Sequence, residues 1–400
     1  MQKLKAFKLR LYPNASQREQ IDITINHSRY VWNEMLEMQK ARYKNNKNAK
    51  FINTFGMNSI LTVLKQELKW LNEADSTALQ ETNQQLADAY KRFFKKLGGQ
   101  PRFKSRKFAR KSYTTKMGMS LIDDKHLKLA KLGAVYFKAK AIPNGKIKRV
   151  TVRISPTGKY YAMVLAETEI KPYDTTGKSV GVDLGLADLA IQSDEYKLPN
   201  IRFDKQLAKK KLYWEVRLAR RRNRAIQVIH NTKKLTGQEL TLDDFSNYAR
   251  AKHMIAKYSE KIANQRLDYL HKYTTQLVKN YDVIAIEKLQ ASKMMKNHKL
   301  ARAIANASWY KLSEMLAYKT EWYGKTLIKI DPSYTTQVDY ETQEVIKHDL
   351  SVRKYTNSFG HLIDRDINAA KNILEWASDP EKHAVILEQI SRNKTRVTKA

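Results

Sequence analysis

Three acidic residues stand where acids are costly. Asp183 interrupts the apolar run "SVGVDLGLADLAIQSD" between Gly181 and Gly185, and Glu287 closes "VIAIE" at the end of a strand that reads as buried. Asp366 opens the helix-prone stretch "DRDINAAKNIL", with Asp364 two positions before it and Asn368 two positions after. A carboxylate emerging from a buried strand is unfavourable unless it is paired or metal-bound. Three convergent carboxylates make a hard-oxygen site for Mg²⁺ or Mn²⁺. Two such ions, bridged by a shared aspartate, would activate a water and stabilise the leaving oxygen in phosphodiester cleavage. Each acid also has a plainer reading. Asp183 could pair with an arginine, Glu287 could close a salt bridge, and Asp366 could cap its helix. Taken together, in this order and in so basic a chain, they favour a metal nuclease.

The charge points the same way. In 400 residues, 75 Lys and Arg face 40 Asp and Glu, a formal net charge of +35. Self-repulsion on that scale opposes compaction, so a polyanionic partner, nucleic acid, is the natural explanation. Two stretches concentrate it. "QPRFKSRKFARKSYTTK" carries Arg102, Lys104, Arg106, Lys107, Arg110 and Lys111 with Phe103, Phe108 and Tyr113 interleaved. Basic side chains suit phosphates and aromatic faces suit bases, a pattern that fits RNA or single strands better than a solvated linker. "KQLAKKKLYWEVRLARRRNRAIQVIHNTKK" spreads Arg220, Arg221, Arg222 and Arg224, among others, over more than one helix face. A nuclear-localisation patch needs no such helical frame.

Membrane readings fail. No stretch approaches the roughly 18 apolar residues of a span, and "MQKLKAFKLRLYP" has no signal-peptide core. Zero cysteine excludes disulfides and thiolate metal sites and fits the cytoplasm.

Elements must position these residues. "KAFKLRLYP" alternates as a half-buried strand broken by Pro13 and Asn14, after which Ser16 can cap a helix opening at Gln17. Ile21, Ile25, Val31, Trp32 and Met35 give that helix its stripe. A second helix sets Leu79, Leu86, Tyr90, Phe93 and Leu97 on one face and ends at Gly98-Gly99. "IKRVTVRISPTGKYYAMVLAE" reads as two strands about Pro156-Thr157-Gly158. These strands are expected to join the N-terminal strand in a small barrel holding the helices as an insertion. "KPYDTTGK" reads as a linker. Beyond it, one apolar strand with Asp183, long basic helices, the Glu287 strand, a helix ended by Gly324 and the strand "KTLIKIDPS" alternate as an α/β domain over about 176–378.

"GVDLGLADLA", "IAIEKLQ" and "DRDINAAKNIL" resemble the three RuvC motifs of TnpB, a transposon-encoded RNA-guided endonuclease akin to type V CRISPR effectors. The likeness extends along nearly the whole chain, through "KAFKLRLYPNASQREQ", "GGQPRFKSRK", "SEKIANQRLDYLHK" and "SWYKLSEMLAYKTEWYG". It implies Asp183, Glu287 and Asp366 as catalytic Mg²⁺ ligands, with Asp364 and Asn368 supporting them. The implied fold is multidomain α+β and α/β, an oligonucleotide-binding-like β-barrel with a helical insertion followed by an RNase H-like RuvC domain. Barrel segments fall at 1–16 and 105–175, the insertion at 17–104, RuvC motifs I and II at 176–336 and motif III at 361–378, with a basic tail, expected to be disordered or RNA-facing, at 379–400. A guide RNA and double-stranded target DNA are the implied partners, in a prokaryotic, nucleoid-associated setting, with guide pairing supplying sequence specificity.

One segment departs from the family pattern. The family carries a Cys-x-x-Cys…Cys-x-x-Cys-Gly zinc ribbon between motifs II and III. Here 337–360, with Thr336 just before it, keeps the frame through Gln337, Arg353 and Gly360, but the ligand positions read Asp339, Thr342, Thr356 and Phe359. Phenylalanine cannot bind metal and threonine is no ordinary zinc ligand, so no zinc is expected, even with His348 and His361 nearby. Losing the metal removes its local folding free energy, so the loop is held by packing or is mobile. Three functions remain in view: an RNA-guided nuclease, a nuclease-silent RNA-guided repressor, and a DNA-binding protein that needs no RNA. The intact acids favour the first. The sequence fixes no oligomeric state.

Overall fold

The computed structural model describes residues 2–107, 110–290, 294–347, 349 and 352–397. The chain divides into two units, Met1–Glu169 and Ile170–Ala400.

In the first unit, alternation in β1 (Gln2–Leu11) buries Phe7, Leu9 and Leu11 and turns the intervening basic residues outward. Burying each such side chain contributes about 1.5–3 kcal/mol. Then α1 (Ala15–Asn45) starts two residues earlier than the sequence indicates. Its cap is Asn14, not Ser16: the Asn14 side chain accepts from the Gln17 backbone while the Gln17 side chain reaches back to the Asn14 N–H. Asparagine caps as well as serine does, and Gln at the third helical position completes the reciprocal pair. Next come α2 (Thr54–Glu67), which the sequence reading missed, and α3 (Ser76–Phe94). The α3 helix stops short of the glycines. Lys96 takes a left-handed φ of 57°, its N–H bonds the Phe93 carbonyl, and Leu97 N–H bonds the Arg92 carbonyl. That Schellman closure leaves Phe93 and Leu97 exposed, whereas Leu79, Leu86 and Tyr90 are buried as the helical stripe requires.

Six strands follow: β2 (Ser112–Thr115), β3 (Ser120–Leu121), β4 (His126–Leu129), β5 (Gly133–Lys138), β6 (Lys146–Ile154) and β7 (Tyr160–Glu169). With β1 they form an antiparallel sheet in the order β2-β6-β7-β1-β5-β4-β3. β1 pairs with β7 along its whole length and with β5 at Arg10 and Leu11. Ile21, Ile25 and Ala78 of the helices pack on the apolar side of this sheet, and a separate helical core gathers Val31, Met35, Leu71, Leu79 and Leu86.

The second unit opens with the irregular 170–178. This is no free linker: Tyr173 stacks on Tyr323 at 4.1 Å, and the Thr176 and Gly177 N–H groups bond the Asp282 carboxylate. The apolar run around Asp183 is two strands, β8 (Ser179–Asp183) and β9 (Asp188–Gln192), rather than one. After β10 (Lys197–Pro199) come α4 (Phe203–Gln206), α5 (Ala208–Thr236), α6 (Ser246–Asn280), β11 (Val283–Glu287), α7 (His298–Ala307), α8 (Trp309–Tyr323) and β12 (Thr326–Ile330). A hairpin, β13 (Lys354–Thr356) and β14 (Leu362–Asp364), leads into α9 (Arg365–Ser378), and α10 (Pro380–Val397) ends the described chain. The backbone at 391–397 is therefore helical, which removes the disordered one of the two readings of the tail over those residues.

The sheet order is β10-β9-β8-β11-β12, antiparallel from β10 to β8 and parallel from β8 through β11 to β12. Period-two alternation sorts its faces. Val180, Val182, Ile284 and Ile286 pack with Leu270, Leu277, Leu312 and Leu316 of α6 and α8. Gly181 and its cross-strand partner Ala285 lie on the other face, where α9 packs.

Candidate active site

Gly181 sets the distance between strand and helix. A β-carbon there would come within 2.1 Å of the Ala370 carbonyl oxygen and 2.7 Å of Leu374 N. Ala369 and Ala370, both fully buried, keep the helix side of this contact equally thin. Gly185 serves the β8–β9 turn, where a β-carbon would meet the Asp188 carbonyl at 2.6 Å. The two glycines flanking Asp183 thus have separate tasks. One brings in the helix that carries Asp366, and the other turns the chain immediately after Asp183.

The same alternation that puts Gly181 and Ala285 beneath α9 puts Asp183 and Glu287 on that face, two residues further along parallel neighbours. Asp366 lies in the first turn of α9 but does not cap it. Asp364 does, accepting from the Asp366 and Ile367 N–H groups and pairing with Lys197 at 2.6 Å. Two acids this close therefore divide their work: Asp364 is spent on the helix end, and the Asp366 carboxylate is left for other partners.

The three acids feel one another. Burial raises the Asp183 carboxyl to about 8, the charges of Glu287 and Asp366 push the same way, and the Leu184 N–H and the Arg365 cation oppose them. Burial also raises Glu287, opposed by the Thr335 hydroxyl and reinforced by Asp331. Thr335, itself buried, donates to Glu287 Oε1 at 2.6 Å. A hydroxyl has one proton, so this bond competes with that to the Pro332 carbonyl at 3.2 Å. Arg353 donates to Asp366 Oδ2 at 3.2 Å, with Arg365 Nε 3.8 Å from Oδ1.

The convergence expected from the sequence is only partly realised. Among the described residues, no three His, Cys, Asp or Glu side chains gather as a ready metal cluster. Like charges separate when neighbouring groups offer other partners, and Thr335 and Arg353 offer them. The donor set nevertheless fits a hard divalent cation: carboxylate oxygens alone, with Asp183 and Glu287 both buried and raised by that burial, Asp183 further by its neighbours' charge. Thr335 was not foreseen, and nothing in its local sequence marks it.

The ribbon-like segment is held by a network of hydrogen bonds. Asp339, at the first former ligand position, is fully buried and serves as a hub. Tyr355 Oη donates to its Oδ2 at 2.7 Å, and the Thr342 and Glu341 N–H groups reach Oδ1 at 2.8 and 3.0 Å. Burial works to raise its carboxyl, but these bonds and that of Asn357 outweigh it, so Asp339 lies below the usual carboxylate value. Asn357 extends the network, donating to Glu341 Oε2 at 2.9 Å and accepting from the Phe359 and His361 N–H groups. His361 closes it against Glu341 at 2.7 Å. Strand alternation explains the exchange of roles: Thr356 faces solvent, while Tyr355 and Asn357 on either side are buried against Asp339. Phe359 is exposed. His348 lies outside the described residues.

This segment is sewn to the acids. Asn368 donates to the Val338 carbonyl and accepts from Tyr340 N–H, both at 2.7 Å, and Asn372 donates to the Thr335 and Val338 carbonyls. The supporting role read for Asn368 is thus to clamp the segment onto α9.

The basic clusters lie in separate units, Arg102 to Lys111 in the first and Arg220 to Arg224 in the second. Two of these cations have partners within the protein. Lys104 sits 3.5 Å from the Trp32 ring centroid, and burial lowers its ammonium to about 8. Its loop is pinned to α1 by Trp32 Nε1 on the Arg102 carbonyl and by Asn33 on both backbone groups of Lys104. Arg221 bonds the Asn247 carbonyl at 2.7 Å. Arg102, Arg106, Lys107, Arg110, Arg220, Arg222 and Arg224 are exposed. Of the interleaved aromatics, Phe103 is exposed under the Lys40 ammonium, Tyr113 is buried in the sheet core and unavailable for stacking, and Phe108 lies outside the described residues. No helix among the described residues is long and apolar enough to cross a membrane.

Three family profiles match consecutive parts of the chain: a helix-turn-helix domain of OrfB/IS605 type over residues 1–48, the OrfB/IS605 transposase over 162–298, and the Cas12f1-like TNB domain over 309–373. The first name does not describe the local structure, which is one strand and one helix. A Streptomyces pristinaespiralis protein named as an RNA-guided DNA endonuclease is 32% identical over 94% of this chain and 90% of its own. The InsQ protein of Escherichia coli K12, named likewise, is 31% identical over 94% of this chain and 92% of its own. The Cas12f1 chain of a cryo-EM complex with single guide RNA and target DNA shares the fold at a TM-score of 0.53, with 11% identity over 93% of this chain and 98% of that one. With relatives above 30% identity matched over nine-tenths of their length, and with Asp183 and Glu287 on the sheet face against which the helix of Asp366 packs, the chain belongs to the TnpB family.

Proposed function

We propose that the protein is an RNA-guided DNA endonuclease that hydrolyses guide-matched DNA beside a short flanking motif. The observation that carries this reading is the buried Asp183 carboxyl, raised by burial and by the charges of Glu287 and Asp366 on the face where α9 packs. A structural aspartate would be expected to have a compensating partner there. In this reading the first sheet is an oligonucleotide-binding-like unit and the second an RNase H-like one. Three antiparallel strands continuing into two parallel ones, with acids at the ends of β8 and β11, support the latter.

Asp183, Glu287 and Asp366 would hold Mg²⁺ or Mn²⁺, which supplies charge neutralisation at the phosphate and a nucleophilic water at neutral pH. The chain's own groups do the positioning. Asp364 holds the head of α9, Gly181 sets its depth, and Thr335 orients Glu287. Arg353, exposed and paired with Asp366, is free to exchange that carboxylate for a phosphate oxygen. The exposed arginines of the loop and of α5 bind nucleic-acid backbone, while guide pairing reads the sequence. Such an activity belongs with cellular DNA in a prokaryotic cytoplasm.

The test is to purify the protein, sequence the RNA that comes with it, and present guide-matched DNA with Mg²⁺ at elevated salt, because the net charge holds any DNA non-specifically. Cutting beside the matched site is expected. Firm guide-dependent binding without cutting would overturn the nuclease assignment, and sequence-specific binding without RNA would overturn guidance itself.

A further inference from the structure

In the first unit, the C-terminal turns of α1 and α3 and the residues around 50 enclose a hollow of about 660 Å³. That lies within the size range of small-molecule pockets, about 300–1,000 Å³. Its wall is aromatic. Phe51, Tyr90 and Phe94 form a cluster with ring centroids 4.9–5.9 Å apart, and Phe93 lies 5.6 Å from Phe94. Phe94 is 58% exposed and Tyr43, also on the wall, 61%. Its rim is cationic: Lys40, Arg42, Lys44 and Lys50 line it, and no acidic residue among the described residues does.

Ordinary structural causes cover only part of this. Arg42 and Lys44 in the last turn of α1 suit the negative end of that helix. Lys50 lies beyond the helix, and helix electrostatics give no reason for open aromatic rings. The Schellman closure at Lys96 ends α3 with Phe93 and Phe94 facing out. A second copy of the chain is a poor occupant, since a two-fold contact would set the same cations face to face. A partner with negative charge and flat apolar faces in each unit is a nucleic-acid strand, and an aromatic-walled hollow takes one unstacked base.

We propose that this hollow holds an unpaired nucleobase of the bound RNA, stacked against Phe94, with the adjoining phosphates on Lys44 and Lys50. The inference rests on the RNA-guided reading, under which RNA is the strand that stays with the protein throughout.

The 400-residue chain, freed of RNA at high salt, is titrated with a single-stranded RNA oligonucleotide carrying one 2-aminopurine and with DNA of the same sequence. Binding to the unsubstituted protein should quench the 2-aminopurine. Phe94→Ala should weaken RNA binding about tenfold and abolish the quenching, Phe94→Trp should restore both, and Lys50→Ala should lower the salt slope by about 0.7. Equal RNA affinity for the unsubstituted and Phe94→Ala proteins overturns the proposal. So does a defect confined to DNA, or one that appears only as lost self-association in sedimentation. The two readings fail separately. Phe94-dependent RNA binding without guided cutting supports the pocket and counts against the nuclease, whereas guided cutting indifferent to Phe94 does the reverse.

Discussion

Two aspartates of the second unit, Asp183 and Asp339, are both buried, yet their surroundings treat them oppositely. Around Asp339 the chain supplies a phenol, an amide and two backbone N–H groups, and the carboxyl falls below its ordinary value. Around Asp183 burial is joined by the charges of two more carboxylates, and the carboxyl rises to about 8. Burial alone therefore does not distinguish a structural acid from one waiting for a cation. The sign of its neighbours does.

That contrast can be broken at either end. The largest effect is expected at Asp183. Asp183→Asn should slow guided cleavage about a thousandfold or more, the loss of several kcal/mol of transition-state stabilisation, while RNA binding and melting temperature hold. Loss of RNA binding together with cleavage would make Asp183 structural after all. Asp339→Ala should do the converse, costing about 3 kcal/mol in denaturant unfolding by orphaning buried donors, with faster hydrogen exchange confined to about 335–362. An unchanged unfolding curve would remove Asp339 as the hub.

Thr335 joins the two regions, so its substitution should register in both. Thr335→Val is expected to slow cleavage about tenfold and cost about 1 kcal/mol, and Thr335→Ser should recover both. The acid limb of stability sharpens the comparison further. Because the folded Asp339 carboxyl lies below its unfolded value of 3.8, its contribution is intact above that value and is lost as the pH falls through the depressed one. Asp339→Asn should flatten that limb in melts between neutral pH and pH 3; an unaltered limb would place the acid sensitivity elsewhere. Smallest of all, a zinc chelator should leave the melting temperature where it was, and a downward shift would reveal a zinc site.

Much of the site was legible in the sequence because its signals are local. An acid after an apolar run, glycines beside it and small residues behind Asp366 all lie within a few positions of one another. The period-two alternation that faces Asp183 and Glu287 toward α9 can be read from the same runs. What escaped depends on contacts between distant positions. Asp339 meets Tyr355 and Asn357 only once the β13–β14 hairpin has folded, and Thr335 reaches Glu287 across 48 positions. Lys104 looks like any other cation in its run until Trp32 comes beneath it, and Tyr113 looks like a stacking residue until β2 carries it inside. The ends of α1 and α3 were misjudged for a different reason. Asn14 and Lys96 closed them before the residues that seemed best suited to do so.

The Asp339 network also changes what can damage this protein. A thiolate-bound ribbon is open to peroxide, to alkylating agents and to competition for scarce zinc, each of which unties it. Here the same stretch is tied by oxygen and nitrogen in a chain with no sulfhydryl at all. With no thiolate to oxidise or alkylate, that stretch presents none of those points of attack.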